Sequence, residues 1–391
     1  MRRAHFFSPV SVEVNRAIFT FILGVLLMGS DSLLAQSIDV WIGTGRSKVS
    51  RGIYHCRLNQ SNGKLSEATL AAEVSGPGFL AMHPSGQRLY AVGTLEQVPS
   101  VIAYRIENKA AGKTLQFEKA LPIGDGGAAH VAVNQAGTML LTAQYGGGSV
   151  ASYRLSSDGA IIEQTGLINH EGGSGVVAGR QETPHAHWVG FSPDQQFAFV
   201  PDLGLDQVVI YKVDQKRGTL VSHGVASVPP GGGPRHMKFH PNGKWVYVLN
   251  ELALSVTVFD YDADSGSMIA KQTIPAVPEI ELAREKFKSA SEIRVHPAGK
   301  YVYSANRGHD TITVYEVDPS NGNLSVIERE HVRGATPRNF NLDPSAKWLI
   351  AAGQDSSTVA SFEVGASDGR LTYNRSCINA PNPICILFEH E

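Results

Sequence analysis

The chain has 391 residues and a formal net charge of -2, with 42% hydrophobic and 18% charged residues. A sizeable core is available, and the balanced charge gives no electrostatic case for nucleic acid or an anionic membrane as partner. The 40 glycines and 20 prolines are spread along the chain, which suits many short strands and turns and argues against a disordered linker.

The first residues stand apart. Arg2, Arg3 and Arg16 precede an apolar run over residues 18–28, which Ser30, Asp31 and Ser32 follow. Ala35 and Ser37 supply the small-x-small pattern of a signal-peptidase site. The run is shorter than the roughly 20 apolar residues of a membrane span, and no cysteine follows it for lipid attachment. Residues 1–37 therefore read as a signal peptide and 38–391 as a periplasmic or secreted domain with no stable membrane span after processing. An uncleaved anchor is the alternative reading of the same pattern, and a cytoplasmic location follows if the segment is no signal. Only Cys56, Cys377 and Cys385 are present. An odd count leaves at least one unpaired, and Cys56 and Cys385 fall on non-adjacent strands of one blade, so no bridge between them is expected.

From residue 78 onward the chain repeats. Six segments share an apolar strand, a tight turn, a second apolar strand, then a third and a fourth. The turns are His83-Pro84-Ser85-Gly86, Asn134-Gln135-Ala136-Gly137, Ser192-Pro193-Asp194-Gln195, His240-Pro241-Asn242-Gly243, His296-Pro297-Ala298-Gly299 and Asp343-Pro344-Ser345-Ala346. Their second positions step by 51, 58, 48, 56 and 47 residues, about what a four-stranded antiparallel blade with its connections needs. Period-two apolar runs flank them, as in Trp245-Val246-Tyr247-Val248 and Tyr301-Val302-Tyr303-Ser304. Residues 255–261 and 311–317 read as third strands, and 262–266 and 318–322 as hairpin turns into fourth strands.

A seventh unit is split. Residues 38–43, 52–58 and 66–73 read as second, third and fourth strands lacking a first, and residues 383–388 read as a first strand with nothing after it. Joining them removes an open sheet edge. The expected architecture is an all-β, seven-bladed propeller of four-stranded antiparallel blades, closed by the C-terminal strand.

In such a blade the first strand lines the axis, and its start shares a face with the end of the second. Six residues before the second turn position stand Gly78, Ala129, His187, Arg235, Ser291 and Arg338. One residue later come Phe79, His130, Trp188, His236, Glu292 and Asn339, and ten after it Thr94, Tyr145, Leu203, Glu251, Arg307 and Gln354. All three sets should ring one mouth of the channel. Packing alone would place small or apolar residues there; imidazoles, guanidinia and carboxylates instead collect in consecutive blades. A solvated channel wall or a structural ion-pair network is the competing account.

At these residues the sequence resembles the lactonase seven-bladed propeller family, which groups bacterial 6-phosphogluconolactonase with fungal 3-carboxy-cis,cis-muconate lactonizing enzyme. The segments carrying the resemblance are Arg180-Gln181-Glu182-Thr183-Pro184-His185-Ala186-His187, Pro201-Asp202-Leu203-Gly204-Leu205-Asp206, Gly233-Pro234-Arg235-His236, Asn250-Glu251 and Asn306-Arg307-Gly308-His309-Asp310. The resemblance implies a functional set of His187, Arg235, Glu251 and Arg307, with His185 competing for the histidine role. His130, His185, His236, Glu292, Arg338 and Gln354 are the accompanying candidates for substrate binding.

Opening a lactone needs a base for the attacking water and positive charge for the oxyanion. His187 or Glu251 would supply the first, Arg235 and Arg307 the second or a grip on an anionic substituent. Competing motifs are missing: there is no Gly-x-Ser-x-Gly elbow, His170-Glu171 lacks the second histidine of a zinc-protease helix, and residues 173–179 lie outside any βαβ unit that would make a dinucleotide loop. His185 and His187 could share a metal, but such a pair is more often one site residue and one packed neighbour; neither metal nor cofactor is expected. The expected partner is a small lactone or anionic sugar acid, with a cycloisomerase acting on a muconate-type acid and a non-catalytic binding propeller as alternatives. A phosphorylated sugar lactone belongs to cytoplasmic metabolism, which sits uneasily with export.

Overall fold

A computed structural model describes residues 1–2, 4–5, 37–109 and 112–389; the apolar run of the signal-peptide reading lies outside the described residues. Seven four-stranded antiparallel sheets are present among the described residues. Blade 1 comprises β4 to β7 (Ser75–Met82, Arg88–Leu95, Val98–Lys109, Gly112–Pro122), and blade 2 comprises β8 to β11 (Ala128–Val133, Met139–Gln144, Ser149–Leu155, Ile161–Asn169). Blades 3 to 6 follow in order. β12 to β15 are Gly190–Phe191, Phe197–Asp202, Gln207–Asp214 and Thr219–Ser227; β16 to β19 are Pro234–Phe239, Trp245–Asn250, Ser255–Asp262 and Ser267–Pro275. β20 to β23 are Ser289–Val295, Tyr301–Arg307, Thr311–Val317 and Leu324–His331; β24 to β27 are Pro337–Leu342, Trp348–Gly353, Thr358–Val364 and Leu371–Asn379. Blade 7 orders β28 (Pro383–Phe388), β1 (Ser37–Thr44), β2 (Gly52–Asn59) and β3 (Thr69–Glu73). A single short helix, α1 (Glu279–Leu282), is found among the described residues.

The apolar runs become strands buried on both faces, which is why they read as nearly continuous. On β17, Trp245, Tyr247 and Leu249 join a cluster with Ala290, Ile293 and Val302 of blade 5, while Val246 and Val248 join Phe199, Val208 and Ile210 of blade 3. Seven such clusters form among the described residues, each shared by two successive blades, and the last joins blade 7 to blade 1. The ring is therefore closed by packing as well as by hydrogen bonding.

Each of the six turns closes with an N–H···O=C bond from its fourth to its first residue, such as Gly86 to His83 (2.8 Å) and Gly243 to His240 (2.9 Å). The fourth residue is left-handed throughout, at Gln195 (φ 63°) and Ala346 (φ 55°) as well as at the four glycines. The third N-terminal strand is shorter than the expected 66–73. Ser66 Oγ accepts the Arg57 N–H (2.9 Å), so the side chain stands in for a ladder carbonyl there. No disulfide joins Cys56 on β2 to Cys385 on β28; both are buried, and β1 lies between their strands.

Closure is reinforced by charge. Lys113 of β7 pairs with Asp39 of β1 (2.8 Å) and with Glu389 (2.5 Å), and His55 Nε2 reaches Asp39 at 2.8 Å. Burial alone would raise the Asp39 pKa, but His55 and Lys113 outweigh it and hold the carboxyl well below its ordinary range.

Candidate functional site

One irregularity recurs where the first strand of each blade begins. Between β16 and β17 the register runs Pro234↔Asn250 and then His236↔Leu249, leaving Arg235 as an extra residue. The same one-residue shift occurs at Ala129, Arg338 and Ile384, between Ala290 and Ile293 and between Ala186 and Gly190, and a two-residue shift occurs between Ser75 and Phe79. A β-bulge re-aims side chains that an unbroken strand would send to opposite faces. It lets Arg235 and His236, neighbours in sequence, both face the channel.

These residues line a cavity of about 430 Å³ with Gly78, Phe79, Ala129, Tyr145, His187, Glu251 and Arg307. Its centre is the Glu251 carboxylate, which accepts from Arg235 Nη1 (2.5 Å) and Arg180 Nη2 (2.9 Å) and lies 3.3 Å from Arg307 Nη2. Burial opposes ionisation, but Arg235, Arg307, His187 and Arg180 together hold the carboxyl far below its usual pKa. Arg235 also donates to the Ser291 carbonyl (2.7 Å) and to His187 Nε2. Burial, then Arg235, push the His187 pKa well down, so the imidazole is neutral. Arg307 donates to Ser289 Oγ and to the Ala290 carbonyl (2.9 Å).

The four residues of the implied functional set thus converge on one cavity, and His236 and Arg338 join them. The other candidates do not line it. His130 is buried against Phe79 (4.2 Å between ring centroids), Trp188 and His236. Glu292 lies behind His236, whose Nδ1 is 3.1 Å from its Oε1. Gln354 accepts from Arg338 Nη1 at 3.4 Å. His185 stacks on Tyr145 (4.5 Å) and donates from Nδ1 to the Tyr145 carbonyl (2.8 Å), whereas His187 Nε2 meets Arg235 Nη1.

Arg180, Phe287 and Ser289 also line the cavity and follow from no repeat offset. Arg180 and Phe287 come from the two longest inter-blade connections, the ones behind the 58- and 56-residue steps, and Ser289 opens β20 directly after the second. Connections of that length without strands of their own are a signal in themselves. Each is seated on a glycine: a Cβ on Gly204 would stand 1.8 Å from the Thr183 carbonyl oxygen, and one on Gly308 (φ +92°) 1.8 Å from that of Phe287. The Arg180 connection is tied down by Gln181, fully buried, which donates to the Leu203 carbonyl (2.8 Å) and Asp206 Oδ1 (2.6 Å) and accepts from Val177 N–H (3.0 Å). Below it, His170 bridges Asp202 (2.6 Å) and Tyr211 (2.8 Å).

Gln181→Ala should free this connection, and with it Arg180. A tenfold rise in KM, or about 1.4 kcal/mol of binding, is expected with a much smaller change in kcat. Steady-state kinetics on a substrate that the wild type turns over checks this, and an unchanged KM would remove Arg180 from the site.

The family model "Lactonase, 7-bladed beta-propeller" matches residues 39–388. A protein of Bacillus subtilis (strain 168) named 6-phosphogluconolactonase is 34% identical over 351 residues, covering 90% of this chain and 98% of that one. Among solved structures, the periplasmic gluconolactonase of Pseudomonas aeruginosa superposes with a TM-score of 0.83 at 27% identity, over 90% of this chain and 99% of that one. A putative 6-phosphogluconolactonase of Bacteroides fragilis NCTC 9343 gives 0.82 at 28%, over 90% and 98%.

Proposed function

The chain belongs to the lactonase family of seven-bladed β-propellers, and on that premise we propose that it hydrolyses a sugar lactone to its aldonic acid in the cavity at the channel mouth. The observation that carries this reading is the charge of that cavity: four guanidinia, of Arg180, Arg235, Arg307 and Arg338, face the single carboxylate of Glu251. Ester hydrolysis places negative charge on the carbonyl oxygen and leaves a carboxylate. Fixed cations in a site shielded from water stabilise both. Arg235 and Arg307, each anchored to backbone carbonyls, are the rigid donors for the oxyanion. Glu251, saturated by guanidinia, orients them rather than accepting a proton.

Arg338 forms no ion pair among the described residues; its Nη1 donates only to Gln354. Burial, with Arg235 nearby, pushes its pKa down to about 10, so a negative group on the substrate would relieve a destabilised cation. The cycloisomerase and binding-module alternatives gain no support from the named relatives.

Hydrolysis of a panel of neutral and phosphorylated aldonolactones tests the reading; release of no aldonate from any of them would end it. Within that panel, Arg338→Met should raise KM about tenfold for a phosphorylated lactone, the size of one lost charge-assisted hydrogen bond, and leave KM for a neutral lactone unchanged. Equal effects on both would assign Arg338 to packing.

Export is part of the same proposal. Residues 1–37 carry the pattern of a cleaved signal, and a structural neighbour is named as periplasmic. A mature N-terminus near Ile38 in the periplasmic or secreted fraction is expected; a chain beginning at Met1 in the cytoplasm would contradict it.

A further inference from the structure

Hydrolysis needs a group that takes a proton from water, and the obvious candidates at the mouth are engaged by guanidinia. Glu251 faces three guanidinia. A guanidinium only donates, so the His187 Nε2 reached by Arg235 is the unprotonated nitrogen, and its lone pair is committed to that bond.

His236 is arranged differently. Its Nδ1 lies 3.1 Å from Glu292 Oε1. Glu292 is buried and also accepts from Asn339 Nδ2 (2.5 Å) and the Ile293 N–H (2.9 Å). Burial alone would keep it protonated, but His236, Arg294 and Lys238 hold its pKa well below the usual range. An ionised carboxylate only accepts, which fixes the His236 proton on Nδ1 and leaves the lone pair on Nε2. That Nε2 is buried and without a hydrogen-bond partner among the described residues, on a side chain that lines the cavity.

Resting on the lactonase reading, we infer that the proton acceptor is His236, with Glu292 and Asn339 as its positioning residues, and that His187 and Glu251 serve Arg235 instead. His236 Nε2 takes one proton from water while the water oxygen bonds to the lactone carbonyl carbon, and the carbonyl electron pair moves to the oxygen facing Arg235 and Arg307. When the tetrahedral intermediate collapses, the ring C–O bond breaks and the leaving alkoxide recovers the proton from Nε2. Lactone and water give the hydroxy acid, which ionises to the aldonate, and the imidazole returns to its starting state.

The groups facing the imidazole are Glu292, Arg235 and Lys238, with the rings of Phe79, His130 and His187 at 5.9, 5.7 and 5.3 Å. Burial lowers the His236 pKa to about 4 against the pull of Glu292. The ring is therefore an unprotonated acceptor at neutral pH, and kcat should fall only as the pH drops through about 4. A base of that strength is modest, and the guanidinia complement it by stabilising the oxyanion.

His236→Gln should lower kcat about 10²- to 10³-fold and abolish the acid limb, while calorimetric titration with the aldonate product gives an affinity within about threefold of wild type. Glu292→Gln, whose amide can donate to Nδ1 and so drive the proton onto Nε2, should lower kcat comparably and move the acid limb. It decides the matter if His236→Gln does not fold. A kcat within about threefold of wild type in either folded variant, on a lactone the wild type turns over, overturns the assignment of His236. A wild-type protein inactive on the whole panel overturns the lactonase reading and this assignment with it.

Discussion

A chain ending at Asn382 should show no cooperative unfolding transition. The loss of β28 removes the innermost strand of blade 7, whose ladder runs from Val40↔Phe388 to Thr44↔Pro383, and strips both neighbouring interfaces at once. Ile386 and Phe388 pack with Trp348, Ile350 and Val359 of blade 6, while Cys385 and Leu387 pack with Leu80, Leu89 and Ala91 of blade 1. Asn339 and Asn341 of blade 6 bond the backbone of Ile386 (2.8 and 3.1 Å). At about 1.5–3 kcal/mol for each large apolar side chain buried, Ile386, Leu387 and Phe388 together approach the 5–15 kcal/mol that separates folded from unfolded states in typical domains. Calorimetry on the truncated chain checks this; a single transition near the wild-type temperature would mean that the ring does not depend on its closing strand. Phe388→Ala, a milder version, should cost about 3–5 kcal/mol.

Glu251→Gln is expected to damage stability and turnover together. The substitution keeps the shape and removes the charge, leaving Arg235 and Arg307 buried beside Arg180 without their counter-ion. Breaking a buried ion pair from one side typically costs about 3–5 kcal/mol, and disordered oxyanion donors cost about 10²- to 10³-fold in kcat. The pH dependence has a definite sign. The folded-state pKa is depressed below the unfolded value, so the carboxylate's contribution is fully present above about pH 4.5 and is lost as the pH falls toward the folded value. The stability gap between variant and wild type should therefore be widest near neutral pH and narrow in acid. Denaturant titrations from pH 7 to pH 3 measure it; a gap that stays constant would show that the carboxylate's ionisation is not what stabilises the cluster.

Six of the seven blades were legible because each carries the same turn, and a fixed offset from that turn is a fixed place in the molecule. That is how Arg235, Glu251 and Arg307, far apart in sequence, fall together. Ile384 escaped the same logic because β28 is followed by the end of the chain rather than by a turn, so no offset could be counted. Arg180 and Phe287 escaped it because connections between blades do not repeat. The distinction between His187 and His236 was beyond the sequence altogether: it depends on which ring nitrogen meets a guanidinium and which a carboxylate. A register shift breaks a period-two pattern only where enough strand lies on both sides of it, and at Arg235 the strand β16 has just begun.

The ladder shifts where each first strand begins, and six of the seven residues at this position, all but Ser291, border the cavity. Replacing Gly78, Ala129, Arg338 or Ile384 should leave the scaffold's stability nearly untouched while changing which molecules are accepted. New selectivity is thus open to laboratory evolution at positions 78, 129, 338 and 384 first, where no side chain is tied to Glu251, by libraries confined to those four sites.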